Sequence, residues 1–496
     1  MYKELLFKLV SISSVNSTVG ELEIAKFIYQ YLLDIKKKYG ADFEVFFQDI
    51  NDDFRKNVIA VVKGRKEISN KAVVFLGHFD TVDVEDYGIL KDFAFDSIKL
   101  KQEFRGIYPH LVQDNVEFGR GIFDMKGGIV VNLIVFEELI KNIDSWSGYA
   151  IFLFVCDEEG DSKGMLNAIK MLRKFKESDN LDFLFCLDTD YTVRKAVYVG
   201  SIGKVLIGLF VRGMETHVGQ SLEGINSNYI LNTILSKVDD NFDLIEKEGD
   251  EFTSPPVVMK MGSIREGYNV KTNLYSFAYI NHLFFKKSLV DIMNDYKAIV
   301  EKSIKEIIDR RKEILKNFSL NFEVPDIKIY SLADFFYIYG KIEKFLDCGS
   351  SDYRDCIFLS LRDWVDGLGI NYPFVLIFFL PPFYPSVKTS ESIKSKLIDY
   401  LGRIDEKIEI FDYFPYISDL SFLGRIEDVE FLKSNMLGWG RYFTLDVETI
   451  NFVSMPCLDW GVLGFDAHKS TERLIVDYSL ERLPKYILEF FMRVMD

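Results

Sequence analysis

The chain has 496 residues, 48% hydrophobic and 27% charged, a composition typical of soluble globular proteins in a length that calls for more than one domain. Against 76 Asp and Glu stand 60 Lys and Arg, a formal net charge of −16 that excludes a general binder of nucleic acid or anionic membrane. The opening MYKELLFKLVSISSV carries Glu4 inside its apolar run and does not read as a signal peptide; the longest apolar run, YPFVLIFFLPPFYP, is broken by prolines and falls short of the ~20 residues of a membrane span.

Residues 21–38 carry apolar side chains at helical spacing. Four short apolar runs follow, VIAVV (58–62), AVVFLG (72–77), AIFLFVC (150–156) and FLFCL (183–187), each predicting a buried strand, with helices expected over 128–143 and 163–176. Such strands alternating with helices predict an α/β fold of layered type with a mainly parallel sheet. From residue 204 the texture changes. KVLIGLFVRG and LYSFAYINHLFF read as strands, GINSNYILNTILSKV as a helix, and 286–317 as one long charged helix: the content of a small α+β insert. The expected plan is a discontinuous domain of residues 1–203 and 326–496 with a second domain, 204–325, inserted in it. The five cysteines (Cys156, Cys186, Cys348, Cys356, Cys457) are few, scattered and odd in number, which predicts a reducing, cytoplasmic setting without a disulfide framework.

Only five histidines occur, and three fall in polar, Gly-flanked segments that also hold carboxylates. In GHFDTVD (77–83), His78 ends a predicted strand and Asp80 lies two residues on, so both face one side of extended chain and Asp80 can orient the imidazole. FGRGIFDMKGGI places Asp124 in a Gly-rich turn before a helix, and VCDEEGDSKG sets Glu158 and Glu159 at a strand end. CLDTDYT offers Asp188 and Asp190, and GFDAHKSTER offers His468 with Glu472 after it. Each segment alone also reads as a capped helix, a capped strand end or a solvated turn. Together they are more telling, because ligands of open α/β sheets gather at the carboxyl ends of strands. Two imidazoles and three carboxylates suit a pair of divalent ions, zinc by default and Co²⁺ or Mn²⁺ as substitutes. Two such cations, three ligand carboxylates and one hydroxide are together neutral, and Asp124 is the natural bridge.

The ordered segments GHFDTVD, GRGIFDMKGG, DEEG, METHVGQSLEGINSN, YNV and DAHKSTER resemble the M20 family of metallopeptidases and amidohydrolases. METHVGQ, LDTDYT, FFLPPFYP, FPYISDLSF and GFDAHKSTERL look most like its arginine-utilization, RocB-type branch. The resemblance implies a zinc-peptidase-like three-layer catalytic domain with a smaller α+β lid that dimerises in many members. It implies metal ligation by His78, Asp124, Glu159 and His468, and by Asp190 or, counting from the strand start, Asp188. It further implies Glu158 as general base toward a metal-activated water, Asp80 as the carboxylate that orients His78, His217 as the lid histidine that supports the oxyanion, and Asn269 as a substrate contact. Where many members carry an arginine at the end of the following lid strand, this chain has Asn281, which weakens the case for substrate carboxylate recognition there. His110 and His282 match nothing and read as structural.

The expected activity is hydrolysis of an amide or peptide bond in a small peptide or N-acyl amino acid. A binding or regulatory protein on the same fold and a single-metal deacylase are the competing readings. Metal stoichiometry separates them.

Overall fold

The computed structural model describes all residues except 1, 265, 266, 268, 351 and 496; Tyr268 of the YNV motif therefore lies outside the described residues. The chain divides into two compact units, the first of residues 1–201, 387–425 and 446–496, the second of residues 202–386 and 426–445. The strands of the two large sheets are, in chain order, β1 (Glu44–Asp49), β2 (Lys56–Lys63), β3 (Lys71–His78), β4 (Tyr149–Val155), β5 (Asp182–Asp188), β6 (Ala196–Tyr198) and β7 (Gly203–Arg212). They continue as β8 (Val257–Ser263), β9 (Tyr275–Phe284), β10 (Lys328–Ser331), β11 (Phe374–Tyr384), β12 (Glu409–Phe411) and β13 (Cys457–Asp459).

The first unit is built on an eight-stranded sheet of order β1-β2-β4-β3-β5-β13-β6-β12. Its centre is parallel: β4, β3, β5 and β13 run side by side. The flanks are not. β1 and β2 join in antiparallel register, β2 pairs antiparallel with β4, and β6 opposes β13. The sheet is thus mixed rather than mainly parallel as expected, because the short β1–β2 connection permits only a hairpin whereas the central strands are linked through helices. Apolar runs made the central strands recognisable, since β3 and β4 are buried along nearly their whole length. Phe75 and Phe152 stack across the β3–β4 pair with ring centroids 4.4 Å apart, and Phe136 meets Phe152 edge-on. Phe136 belongs to the helix Lys126–Lys141, which is buried almost all round. Only a helix covered on both sides can be so uniformly apolar.

The second unit has a five-stranded sheet of order β8-β9-β7-β11-β10, antiparallel except for the β11–β10 pair. It is larger than the 204–325 insert expected from sequence. Residues 326–386 belong to it because β10 and β11 extend the same sheet, and 426–445 because Met436 bridges to Phe379 of β11. The sequence-based bounds assign 326–386 to the first domain, whereas its strands continue the sheet of the second unit. The helix Leu289–Asn317 opens with a capping box between Ser288 and Asp291 and buries one stripe, including Tyr296, Val300 and Ile304. Cys348 and Cys356 are joined by a disulfide, contrary to the expectation of none: only eight residues apart, they face each other at the turn into the helix Tyr353–Gly367. Among the described residues no helix is long and apolar enough to cross a membrane.

His110 is exposed, whereas His282 on β9 is fully buried, with Nδ1 3.2 Å from the Tyr296 hydroxyl and, among the described residues, no partner for Nε2. Burial, aided by the Lys287 charge, pushes the His282 imidazole down to about 3. An unfolded chain binds that proton near 6.5, so the stabilising contribution is complete above 6.5 and is lost as pH falls toward 3, at up to about 1.4 kcal/mol per pH unit. Urea unfolding of wild type and His282→Gln, at equal metal content, should show the wild-type advantage shrinking by about 2 kcal/mol between pH 6.5 and 5. A difference independent of pH would contradict this.

Candidate metal centre

The carboxyl ends of the central parallel strands assemble the cluster. β3 ends at His78, whose neighbour across the register is Val155, and Leu76 of β3 pairs with Asp188 at the end of β5. The segments 79–83, 156–160 and 189–191 leave these three strands side by side. Ligand atoms of His78, Asp124 and Asp190 lie within 4.8 Å of one another, and so do those of Asp124, Glu159 and His468. Asp124 belongs to both groups. Its Oδ1 is 3.1 Å from His78 Nε2 and its Oδ2 is 3.0 Å from His468 Nε2, which is also 3.0 Å from Glu159 Oε1. One carboxylate thus turns one oxygen to each of two imidazoles that come from opposite ends of the chain. Of the two alternatives at the end of β5, Asp190 faces His78, while Asp188 joins Asp190 and Asp459 in a third group and takes a hydrogen bond from the Ser418 hydroxyl.

Electrostatics follow from this crowding. Burial disfavours ionisation of Asp124, but hydrogen bonds from His468 and His78 outweigh it and hold the carboxyl well below the usual range. Those of Asp124 and Glu159 raise His468 to about 11. Burial raises Glu159 and Asp190, with the Asp124 charge adding to both. The donor set fits divalent cations: neutral nitrogen and ionised oxygen are the coordinating forms, so metal uptake here must release the imidazole protons.

The supporting contacts are polar and buried. His78 Nδ1 lies 3.2 Å from the Asp80 carbonyl oxygen and 3.7 Å from its carboxylate Oδ1, so the carboxylate expected to orient the imidazole stands beside it together with its own carbonyl. The Asp80 carboxylate accepts the backbone N–H groups of Glu158 (3.1 Å) and Glu159 (3.0 Å) and the Asn16 amide (2.9 Å). It therefore anchors the DEEG turn as much as the histidine. Behind that turn, Arg55 pairs with Asp157 and with Asp52, and Glu21 accepts the Asp157 N–H at 3.0 Å. The Asp124 loop hangs on Glu472, whose carboxylate accepts N–H groups from Gly121 (3.1 Å), Phe123 (3.0 Å) and Asp124 (3.2 Å) and pairs with Arg120 at 2.9 Å.

Glu158 Oε2 lies 3.9 Å from His78 Nε2. Burial pushes its carboxyl well above the ordinary value; His78 opposes this, and Asp419, Glu159 and Asp190 add to it. Asp419 and Asp459, fully buried beside these groups, were not singled out from sequence. Asp419 sits in FPYISDLSF, which was noticed only as a resemblance, and Asp459 in CLDWG, which carried no signal. His217 and Asn269 belong to the second unit. There His217 is exposed, its Nδ1 accepts the Gly219 N–H, and it bridges Lys271, whose own N–H donates to the Asn269 side chain. The two predicted substrate contacts therefore lie on adjoining segments.

Close backbone packing fixes Asp190. A Cβ on Gly461 would stand 1.6 Å from the Asp190 carbonyl oxygen, so Gly461→Ala must displace the Asp190 segment. We expect a loss of about 3 kcal/mol in urea unfolding and at least about tenfold weaker metal binding by titration, 1.4 kcal/mol being one decade.

The sequence matches the profile of peptidase family M20/M25/M40 over residues 74–440. It is 30% identical to Protein RocB of Bacillus subtilis (strain 168) over 97% of this chain and 92% of that protein. Its fold resembles that of aminopeptidase PepT from Bacillus cereus (TM-score 0.58, 12% identity, 100% and 98% of the two chains). It also resembles the Bacillus subtilis YXEP protein, described as a dinuclear metal binding peptidase from the M20 family (TM-score 0.53, 11% identity, 100% and 98% of the two chains). A cluster of two histidines and three carboxylates, with His78, Asp124 and Asp190 buried and His468 open to solvent, within the span of that profile and its C-terminal continuation, agrees with these likenesses: the chain is an enzyme belonging to peptidase family M20/M25/M40, a family of metal-dependent hydrolases.

Proposed function

We propose that this enzyme cleaves an amide or peptide bond of a small peptide or N-acyl amino acid, using two divalent ions, zinc in the first instance. The observation that carries the reading is the division of the Asp124 carboxylate between His78 and His468. In the proposed site, His78 and Asp190 hold one ion, Glu159 and His468 the other, and Asp124 both. When bound, the ions supply Lewis-acid polarisation of the scissile carbonyl and a water acidic enough to ionise near neutrality.

The chain's own residues do the rest. Glu158 takes the proton of the attacking water on its carboxylate and returns it to the leaving nitrogen. Burial raises its carboxyl, with Asp419, Glu159 and Asp190 adding to the effect, and a carboxyl so raised holds a proton more readily than a solvated one before passing it on. Asp80 keeps Glu158 and Glu159 in place through their backbone N–H groups. The second unit is proposed as a lid and dimerisation domain, with His217 donating to the developing oxyanion and Asn269 contacting substrate.

The test is chelator-stripped protein reloaded with Zn²⁺, Co²⁺ or Mn²⁺ and assayed on dipeptides and N-acyl amino acids. Two ions per chain and metal-dependent release of a free amino group are expected. Protein that binds no metal and releases nothing would sink the proposal, and one ion with full turnover would favour the single-metal deacylase.

A further inference from the structure

Asp459 ends β13 and pairs in register with Asp188 at the end of β5, so the two carboxylates project from the same face of adjacent parallel strands. Asp190 lies two residues further along. One oxygen from each of the three lies within 4.8 Å of the others. Asp459 is completely buried, and among the described residues neither of its oxygens has a hydrogen-bond partner; Asp188 Oδ1 has none either. The charges acting on Asp459 are those of Asp188 and Asp190, both of its own sign. Asp419, also buried, adds a further negative charge beside Asp188. A buried carboxylate with no donor and only like-charged neighbours is strongly destabilising unless a cation or a proton joins it.

Three features choose the cation. Oxygens coordinating an ion at 2.3–2.6 Å are separated by at most about 4.6–5.2 Å, which matches the observed cluster. The donors are all carboxylate oxygens, the set preferred by hard cations rather than by zinc. Finally, Asp188 and Asp190 are only 3% and 4% exposed and Asp459 not at all, so a monatomic ion fits where a guanidinium or alkylammonium group does not. We propose that Asp188, Asp190 and Asp459 bind a third divalent cation of the hard, oxygen-seeking class, beside the proposed catalytic pair and sharing Asp190 with it. The proposal rests on the dinuclear reading only through that shared residue.

The probe is Mn²⁺, which both oxygen-only and mixed sites accept. Full-length stripped protein dialysed against Mn²⁺ should hold three ions per chain by elemental analysis, and Asp459→Asn two. Two ions in wild type and two in the variant would overturn the third site and leave the pair standing; none in either would overturn both. A second readout is the sign of the thermal shift. In stripped protein Asp459→Asn removes a repelling charge and should raise Tm, whereas with Mn²⁺ it removes a ligand and should lower it. Shifts of one sign in both conditions would mean that a proton occupies the cluster, and would overturn the proposal. Should Asp459→Asn not fold, Asp188→Asn takes away a charge of the same cluster and serves both readouts.

Discussion

Glu158→Gln is expected to keep both proposed metal ions and to lose at least about a thousandfold in kcat, within the range that general acid–base groups contribute. The amide preserves the shape of the side chain, and the backbone N–H that holds residue 158 to Asp80 is untouched. What disappears is the capacity to carry a proton. The carboxyl lies among Asp419, Glu159 and Asp190, with His78 alone opposing their charge, so replacing it by a neutral amide relieves repulsion and should not reduce stability. Turnover and elemental analysis on the same preparation check both halves. Undiminished kcat would remove Glu158 from the mechanism, and a lost ion would make it a ligand rather than a base.

The second large effect is structural. Glu472→Ala should cost about 3–5 kcal/mol, the range for breaking a buried ion pair from one side. Three N–H groups of the 121–124 segment lose their acceptor, and Arg120, 1% exposed, loses a counter-charge. Asp86 still holds the other end of the Arg120 guanidinium at 2.6 Å, which limits the loss. Since the released segment carries Asp124, metal affinity should fall with stability. Glu472→Gln retains an acceptor oxygen for the loop, so in urea unfolding it should fall between wild type and Glu472→Ala. Equal stability of all three proteins would show that the loop is held by other contacts.

Legibility differed by element. Buried central strands announced themselves as unbroken apolar runs, and β3, β4 and β5 fall within a residue or two of their predicted bounds. β1, EVFFQD, is an edge strand without a fully buried residue, so its pattern gave neither a run nor an alternation. The boundary of the second unit was misplaced because strand-like sequence does not say which sheet a strand joins; β10 and β11 found theirs by pairing with β7 and with each other. Candidate ligands were recognisable because histidine is scarce in this chain and carboxylates at strand ends are costly without a partner. Sequence spacing leaves Asp188 and Asp190 open, since both project to the same side; the structure groups Asp190 with His78 and Asp124, and Asp188 with Asp190 and Asp459. Asp80, Glu472 and Arg55 act through backbone groups and buried pairs far apart in sequence, which no local spacing encodes.

The link between Arg120 and Glu472 spans 352 residues. At a ribosomal pace of about 5–20 residues per second, roughly 20–70 s separate the emergence of one partner from that of the other. Throughout that interval the nascent first unit carries a guanidinium with half its pairing missing and a loop without its anchor. The N-terminal portion therefore cannot mature ahead of the rest, and a chain truncated anywhere before Glu472 should be recognised by the cell as unfinished and cleared.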